Sequence, residues 1–293
     1  MADYQYQFNG LTIGDGTDYK VRRVEGLTGY GMALVDISLP RYHGETPGAS
    51  YMTGREVGLE VWVEGDGIED LHANLDELLA AFEPMSEELA EFTWKHPGQA
   101  ERMIEARVAD IADSGVEAET ELGFERRVDI RLKAPDPVVY SAALDTVEVE
   151  PFASAEGLSY PVSYPKSYGS GGSGGGATVT NSGRWPSWPR LEIVGGSGTL
   201  TNPVIENVTS GLEIALTADG GASVAPGQTL VIETHPRLRS VRFLSGASRY
   251  GTVAVGSVFW RLEPGDNTIR FRASGDTTGA LLRVKARSAW LRG

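Results

Sequence analysis

Helical spacing occurs in one stretch of this chain. Ile68, Leu71, Leu75, Leu78, Leu79 and Phe82 recur every three or four residues, the period of an amphipathic helix. Asp66 is placed to cap that helix, Glu69 and Asp70 suit its positive end, and Pro84 stops it. The other apolar residues fall into short alternating or β-branched runs. Leu59, Val61 and Val63 alternate with Glu60, Trp62 and Glu64. Phe124, Val128, Ile130 and Leu132 alternate with Glu125, Arg127, Asp129 and Arg131, and residues 101–111 form a third such run. The expectation is a mainly β protein whose N-terminal β-domain carries one amphipathic helix on a sheet. Arg41–Gly48 is polar and turn-rich, an exposed loop between strands.

The second half shows no helix. Leu191–Val194, Leu212–Leu216, Thr229–Ile232, Val241–Phe243 and Thr252–Val255 follow one another at the spacing expected of a sandwich. Pro264-Gly265-Asp266-Asn267 reads as a turn joining Phe259-Trp260 to Ile269–Phe271. In the last run Leu282, Val284, Ala286, Ser288 and Trp290 share one face, with Arg283, Lys285 and Arg287 on the other. This predicts a jelly-roll β-sandwich of eight to ten strands. Between the halves, Ser159-Tyr-Pro-Val and Ser163-Tyr-Pro-Lys form a tandem repeat, and Gly169–Gly176 is a Gly/Ser tract. Proline excludes that stretch from a central strand, so it reads as an extended arm followed by a flexible linker. The expected domains are 1–136, a linker or arm over 137–176, and 177–293.

Chemical equipment is thin. The chain has no cysteine and four scattered histidines, His43, His72, His96 and His235, which excludes disulfides, thiolate nucleophiles and cysteine-bound zinc. No catalytic, cofactor-binding or metal-ligating residue is expected. No apolar run reaches the ~18 residues of a membrane helix, so no membrane partner is expected either. Charge is divided unevenly. Residues 1–176 carry 13 basic and 32 acidic groups, a balance of −19, while residues 177–293 carry 13 and 8, or +5. Two readings of the acidic half stay open, simple solubility or a passage along which DNA slides without adsorbing.

Several motifs fail on context. Gly171-Gly-Ser-Gly-Gly175 matches the nucleophile-elbow pattern, but linker sequence replaces the strand and helix that the elbow needs. The glycine run lacks a following Lys-Ser/Thr, which excludes a P-loop. Asn207-Val-Thr209 fits a glycosylation sequon, but nothing indicates an ER-like route. Glu87-Glu88 and Glu117/Glu119/Glu121 are acidic runs of the kind that solvated faces carry. Trp185-Pro-Ser-Trp188-Pro offers two rings either for stacking on a sugar or for sealing the sandwich or a subunit contact.

Taken in order, these pieces resemble the distal tail proteins of long-tailed phages. The N-terminal resemblance lies in Leu27-Thr-Gly-Tyr-Gly31, Gly54–Val63, the helix 68–82 and the Asp136-Pro137 exit. In the C-terminal half it lies in Asn181–Pro186, Pro189–Ile193, Asn202–Asn207, Ser257–Asn267 and Ala286–Trp290. The resemblance implies a virion protein at the distal end of the tail, assembled in the host cytoplasm and without enzymatic residues or cofactor. It implies a ring, usually hexameric, of N-terminal domains with galectin-like sandwiches outside. The tail tube protein meets one face of that ring and a tail-associated hub or lysin the other, while DNA passes unbound through the lumen. The alternative from a different class is a carbohydrate-binding module protein held by host wall polysaccharide, with Trp185 and Trp188 as contacts. An esterase or glycosidase ranks last, because no acid/base pair can be located.

Overall fold

The computed structural model describes residues 1–39, 41, 43–84, 88–113, 124–152 and 176–293. The Tyr-Pro repeat, most of the Gly/Ser tract, Glu87 and Glu117/Glu119/Glu121 lie outside them. The chain forms two compact units, residues 1–142 with 290–293, and residues 143–289. Both are mainly antiparallel β-structure.

The described residues of the N-terminal unit form β1 (Gln5–Phe8), β2 (Leu11–Gly14), β3 (Tyr19–Glu25), β4 (Met32–Leu34), β5 (Ile37–Ser38), β6 (Glu45–Thr46), β7 (Ser50–Met52), β8 (Arg55–Glu64), α1 (Ile68–Ala81), β9 (Ala90–Lys95), β10 (Arg102–Asp113), β11 (Glu125–Ala134) and β12 (Val139–Ser141). The main sheet runs β2-β1-β9-β10-β11-β8-β3. The long strand β10 makes the bend. Its first half pairs with β9 and its second half with β11, with a register shift between Val108 and Asp110, and such a bulge sharpens strand twist. Two half-sheets thus fold toward one core, which also takes in Leu71, Leu75, Leu78 and Phe82 of the helix. Strand β8 behaves as its alternation predicts, with Val57, Leu59, Val61 and Val63 buried.

The helix buries a single stripe, and this narrows the sequence reading. Leu71, Leu75, Leu78 and Phe82 are buried, and Phe82 stacks on Phe8 at 4.9 Å. Ile68 and Leu79, expected inside, are exposed. Leu79 lies one residue off the i, i+4, i+7 stripe, and Ile68 stands at the first turn. Asp66 is not the cap. The N-cap is Gly67, with no side-chain cap bond, and Asp70 instead accepts the Asp66 amide proton at 2.9 Å. The entry is fixed by close approach, because a Cβ on Gly65 would lie 2.4 Å from the Leu71 amide nitrogen. Leu75→Ala is expected to cost about 2–5 kcal/mol by opening a cavity. Thermal unfolding compared with the exposed-face control Asp76→Ala checks this. Asn74 is unsuitable as that control, because its side-chain amide donates to the Glu64 carbonyl at 2.9 Å.

One strand boundary also moves. Phe124 does not join the alternation of β11; it is exposed at a positive φ of 54°. The inward position beside Val128 belongs to Arg126, which is buried and grips Asp113 through Nε (2.9 Å) and Nη2 (2.5 Å).

The C-terminal unit continues with β13 (Asp145–Val149), β14 (Gly176–Asn181), β15 (Arg190–Val194), β16 (Leu200–Asn207), β17 (Leu212–Ala215), β18 (Ser223–Val224), β19 (Thr229–Glu233), β20 (Ser240–Phe243), a 3-10 turn at Tyr250–Thr252, β21 (Gly265–Gly275) and β22 (Leu281–Ala286); in the short β23 (Ala289–Trp290) that follows, Trp290 already belongs to the N-terminal unit. One sheet runs β13-β22-β15-β19-β20. The other runs β14-β21-β16-β17, with β18 against β16. Leu191, Ile193, Leu230, Ile232, Leu282 and Val284 of the first sheet share a core with Ile205, Ile214, Ile269 and Phe271 of the second. This is a β-sandwich. Strand β13 lies in the stretch read as linker, and so does β12 of the N-terminal unit.

Three local readings change here. Thr252–Val255 is not a strand: Thr252 closes the 3-10 turn, donating its hydroxyl to the Arg249 carbonyl at 2.7 Å. Phe259 and Trp260 are buried core residues outside any strand, and Asn181–Gly265 is the register pair that ends β21 against β14. Trp290 leaves the β22 alternation, because Ser288 and Ala289 are both buried and reverse the phase.

Candidate functional site

Residues that carry the resemblance turn out to hold the backbone in shape. Asn181, Asn207 and Asn267 are almost fully buried. The Asn181 side chain donates to the Trp185 carbonyl at 2.8 Å and accepts from the amides of Gly183 (3.0 Å) and Ala289 (3.1 Å). Asn267 donates to the carbonyls of Glu263 (2.7 Å) and Gly265 (3.0 Å) and accepts the Glu263 amide proton at 3.0 Å. A buried amide side chain is tolerated when its donors and acceptor are matched. These asparagines therefore fix turns, and that explains a motif without chemistry.

Trp185 and Trp188 lie in an extended segment stitched from both sides. Trp185 donates its amide proton to the Ala289 carbonyl at 3.0 Å, and Ser187 exchanges two backbone bonds with Leu262 at 2.9 and 2.7 Å. Residues three apart in an extended chain project to opposite sides, so the two rings do not form one stacking platform. Both are half-buried, and Trp188 meets His235 edge-on at 6.1 Å. Among the described residues, no group of three or more His, Asp or Glu is arranged to hold a metal ion.

The N-terminal unit offers two surfaces of a different kind. Strands β4 and β7, then β5 and β6, pair with each other and, among the described residues, with no other strand; they form a two-stranded arm between Met32 and Met52. Within residues 41–48, expected as an exposed loop, Glu45–Thr46 form strand β6 against Ile37–Ser38. The arm is apolar on its outside, with Leu34 at 67%, Ile37 at 63% and Tyr51 at 63% exposure. An isolated two-stranded ribbon is marginal in water, and so large an apolar display marks an interaction surface. The apolar run Met32–Leu39 between Gly31 and Pro40 is the sequence signal for it.

The arm is rooted on Arg55, a residue the sequence does not single out. Its guanidinium is 1% exposed and donates to five backbone carbonyls. These belong to Gly26 (2.9 Å), Leu27 (2.6 Å), Gly29 (2.8 Å), Pro137 (3.0 and 2.7 Å) and Leu291 (2.7 Å). Burial pulls its pKa down, against the opposing influence of Asp136. Arg102 helps to hold the same returning tail, with its guanidinium 4.5 Å over the Trp290 ring and 2.5 Å from the Arg292 carbonyl.

The second surface is the polar face of β3, β8 and β11. Arg127 bridges Asp129 (2.9 Å) and Glu60 (3.8 Å), Lys133 meets Glu56 (2.9 Å), and Lys20 meets Glu64 (3.7 Å). Glu60 and Asp129 are direct cross-strand partners. Like charges so placed repel, and Arg127 between them offsets it. The face is highly charged and locally balanced.

Residues 182–285 match the family described as siphovirus-type tail component, C-terminal domain. The sandwich thus carries a siphovirus-type tail component domain. The matched stretch begins beside Asn181 and spans most of the sandwich. Its fold extends the likeness to both units. The crystal structure of Dit (gp 19.1) of phage SPP1, described as a paradigm of the hub adsorption apparatus in phages infecting Gram-positive hosts, matches with a TM-score of 0.63. The match covers 96% of this chain and 97% of that one at 13% identity. A chain of the phage P2 baseplate in its activated conformation with calcium matches at a TM-score of 0.53, with the same coverages and 10% identity. No curated protein sequence matches the chain.

Proposed function

We propose that this tail component assembles as a closed ring of six copies at the distal end of the tail. In this reading the ring joins the tail tube to the tail-tip hub or lysin, and DNA passes through its lumen. The observation that carries the reading is the apolar arm over residues 32–52, which lacks a covering surface within its own two-stranded sheets. An arm that leaves one body and covers another gives a heterologous contact, and repeated heterologous contacts close into rings. The names of the structural relatives, a hub adsorption protein and a baseplate, support the location and the non-enzymatic role.

The balanced face of β3, β8 and β11 is the wall we assign to the lumen. Its carboxylates are matched by Arg127, Lys133 and Lys20, so phosphates find neither a basic trap nor uncompensated repulsion at short range. Single-particle images of the full chain test the reading. Six-fold annuli with an open centre, whose wall is neutral or acidic, are expected. Open filaments, or a lumen lined with unpaired arginine, would overturn it.

We assign Trp185 and Trp188 to sandwich packing instead of sugar binding, because their segment is bonded on both edges and their rings point apart. Titration with host wall polysaccharide is expected to leave tryptophan fluorescence unchanged. A saturable change lost in Trp188→Ala would restore the carbohydrate reading.

A further inference from the structure

The sandwich carries a patch that is basic and apolar together. The hairpin after β20 covers one edge of the sandwich, with Arg249 donating its amide proton to the Val241 carbonyl at 2.8 Å. The following turn covers the edge of β17, where Ala254 donates to Ala215 at 2.8 Å and Val258 to Glu213 at 2.9 Å. Arg237 and Arg239 stand just before β20, Arg242 on it and Arg249 in the hairpin after it. Arg239 lies over the Phe259 ring and Arg249 over Phe243. None of the four enters an ion pair among the described residues, although most other basic side chains of the unit do. Leu244, 71% exposed, directly follows β20, and Val255 is fully exposed in the turn over β17. Arginine interleaved with exposed aliphatic groups suits a protein surface that is acidic and apolar together. A phosphate-rich polymer offers no match for the leucine and valine.

The same chain presents such a surface. The outer face of α1 carries Glu69 and Asp76, the exposed Leu79 stands in its last turn, and the exposed Glu83 follows just beyond its C-cap Phe82. No basic residue stands in its last turn. Residues seven apart lie on one helix face, so Glu69 and Asp76 share a face that Leu79 flanks. We infer that the arginine edge of each sandwich docks on the α1 face of the next copy. This rests on the ring reading and names a second contact in it, distinct from the arm. A contact of unlike surfaces repeats around a closed ring in the same way as the arm does.

Two full-chain variants test it, Arg237→Glu/Arg242→Glu on the sandwich and Asp76→Lys/Glu83→Lys on the helix. All four side chains are exposed, so unchanged melting temperatures are expected. Assembly is read by mass photometry at low salt. Each variant alone is expected to need roughly tenfold more protein to assemble. An equimolar mixture is expected to recover the unsubstituted value, because alternating copies pair each reversed edge with a reversed helix and each native edge with a native helix. Variants that assemble like the parent, or a mixture no better than its components, would overturn the inference while leaving the ring intact. So would recovery only when all four substitutions share one chain, which places the contact within a single copy. Loss of retention on immobilised polyphosphate with unchanged assembly would give the patch to an anionic polymer and equally overturn it. A parent chain that never assembles removes the ring reading itself.

Discussion

Arg55→Met is expected to destabilise the N-terminal unit by about 3–5 kcal/mol, the scale seen when one partner of a buried charged network is removed. Methionine fills much of the volume but donates nothing. The carbonyls of Gly26, Gly29, Pro137 and Leu291 then lose their side-chain donor, and that of Leu27 keeps only the Gly293 amide. Each buried acceptor left unmatched costs about 1–3 kcal/mol, and local relaxation with water entry brings the sum down. Arg55→Lys is expected to recover only part of the loss, because three donors on a flexible stem replace a planar five-donor fork. The measurement is thermal unfolding of the full chain. A shift of the N-terminal transition no larger than that of Glu56→Ala would show that the carbonyls find other partners. Amide exchange of Gly293 adds a local readout, since its N–H donates to the Leu27 carbonyl at 2.9 Å and loosens with the tail.

The second large effect concerns assembly. Leu34→Ser/Ile37→Ser is expected to leave the melting curve close to the parent's, because both side chains are exposed and lie outside the hydrophobic core of the unit. In a ring both become buried, and removing them costs about 3 kcal/mol or more at every interface. That corresponds to a rise on the order of a hundredfold in the concentration needed for assembly. Sedimentation across a dilution series checks it. Unchanged association would remove the arm from the interface, and a collapsed melting curve would show that the arm serves the fold.

Much of the architecture was legible because burial on one face writes itself into the sequence. Strand β8, the second half of β11 and strand β22 bury alternate residues, and α1 buries the stripe that its period predicts. Misreadings came where a backbone or polar interaction overrides apolar spacing. Phe124 looked like a strand residue, but the chain turns there at positive φ and the inward place goes to Arg126, bonded to Asp113. Thr252–Val255 is β-branched, yet the Arg249 carbonyl holds Thr252 in a 3-10 turn. Trp290 has the spacing of β22 but belongs with the N-terminal unit, where Arg102 lies over its ring.

The surfaces were less legible than the core. An apolar residue in a short alternating run gives the same signal whether it faces its own core or another molecule, so Leu34 and Ile37 did not stand out. Arg55 carries no local pattern at all, because its partners lie between 26 and 236 residues away. The asparagines were visible as motif residues, and only their hydrogen bonds show that their work is structural.

The central claim is that copies of this chain close into a ring, and the mass of the purified full chain in native solution tests it most directly. The account predicts one dominant species at six times the 31.4 kDa of the chain, which shifts toward the single-chain mass in Leu34→Ser/Ile37→Ser. A parent chain that stays at 31.4 kDa across the concentration range, or a mass ladder without a closed end point, would contradict it.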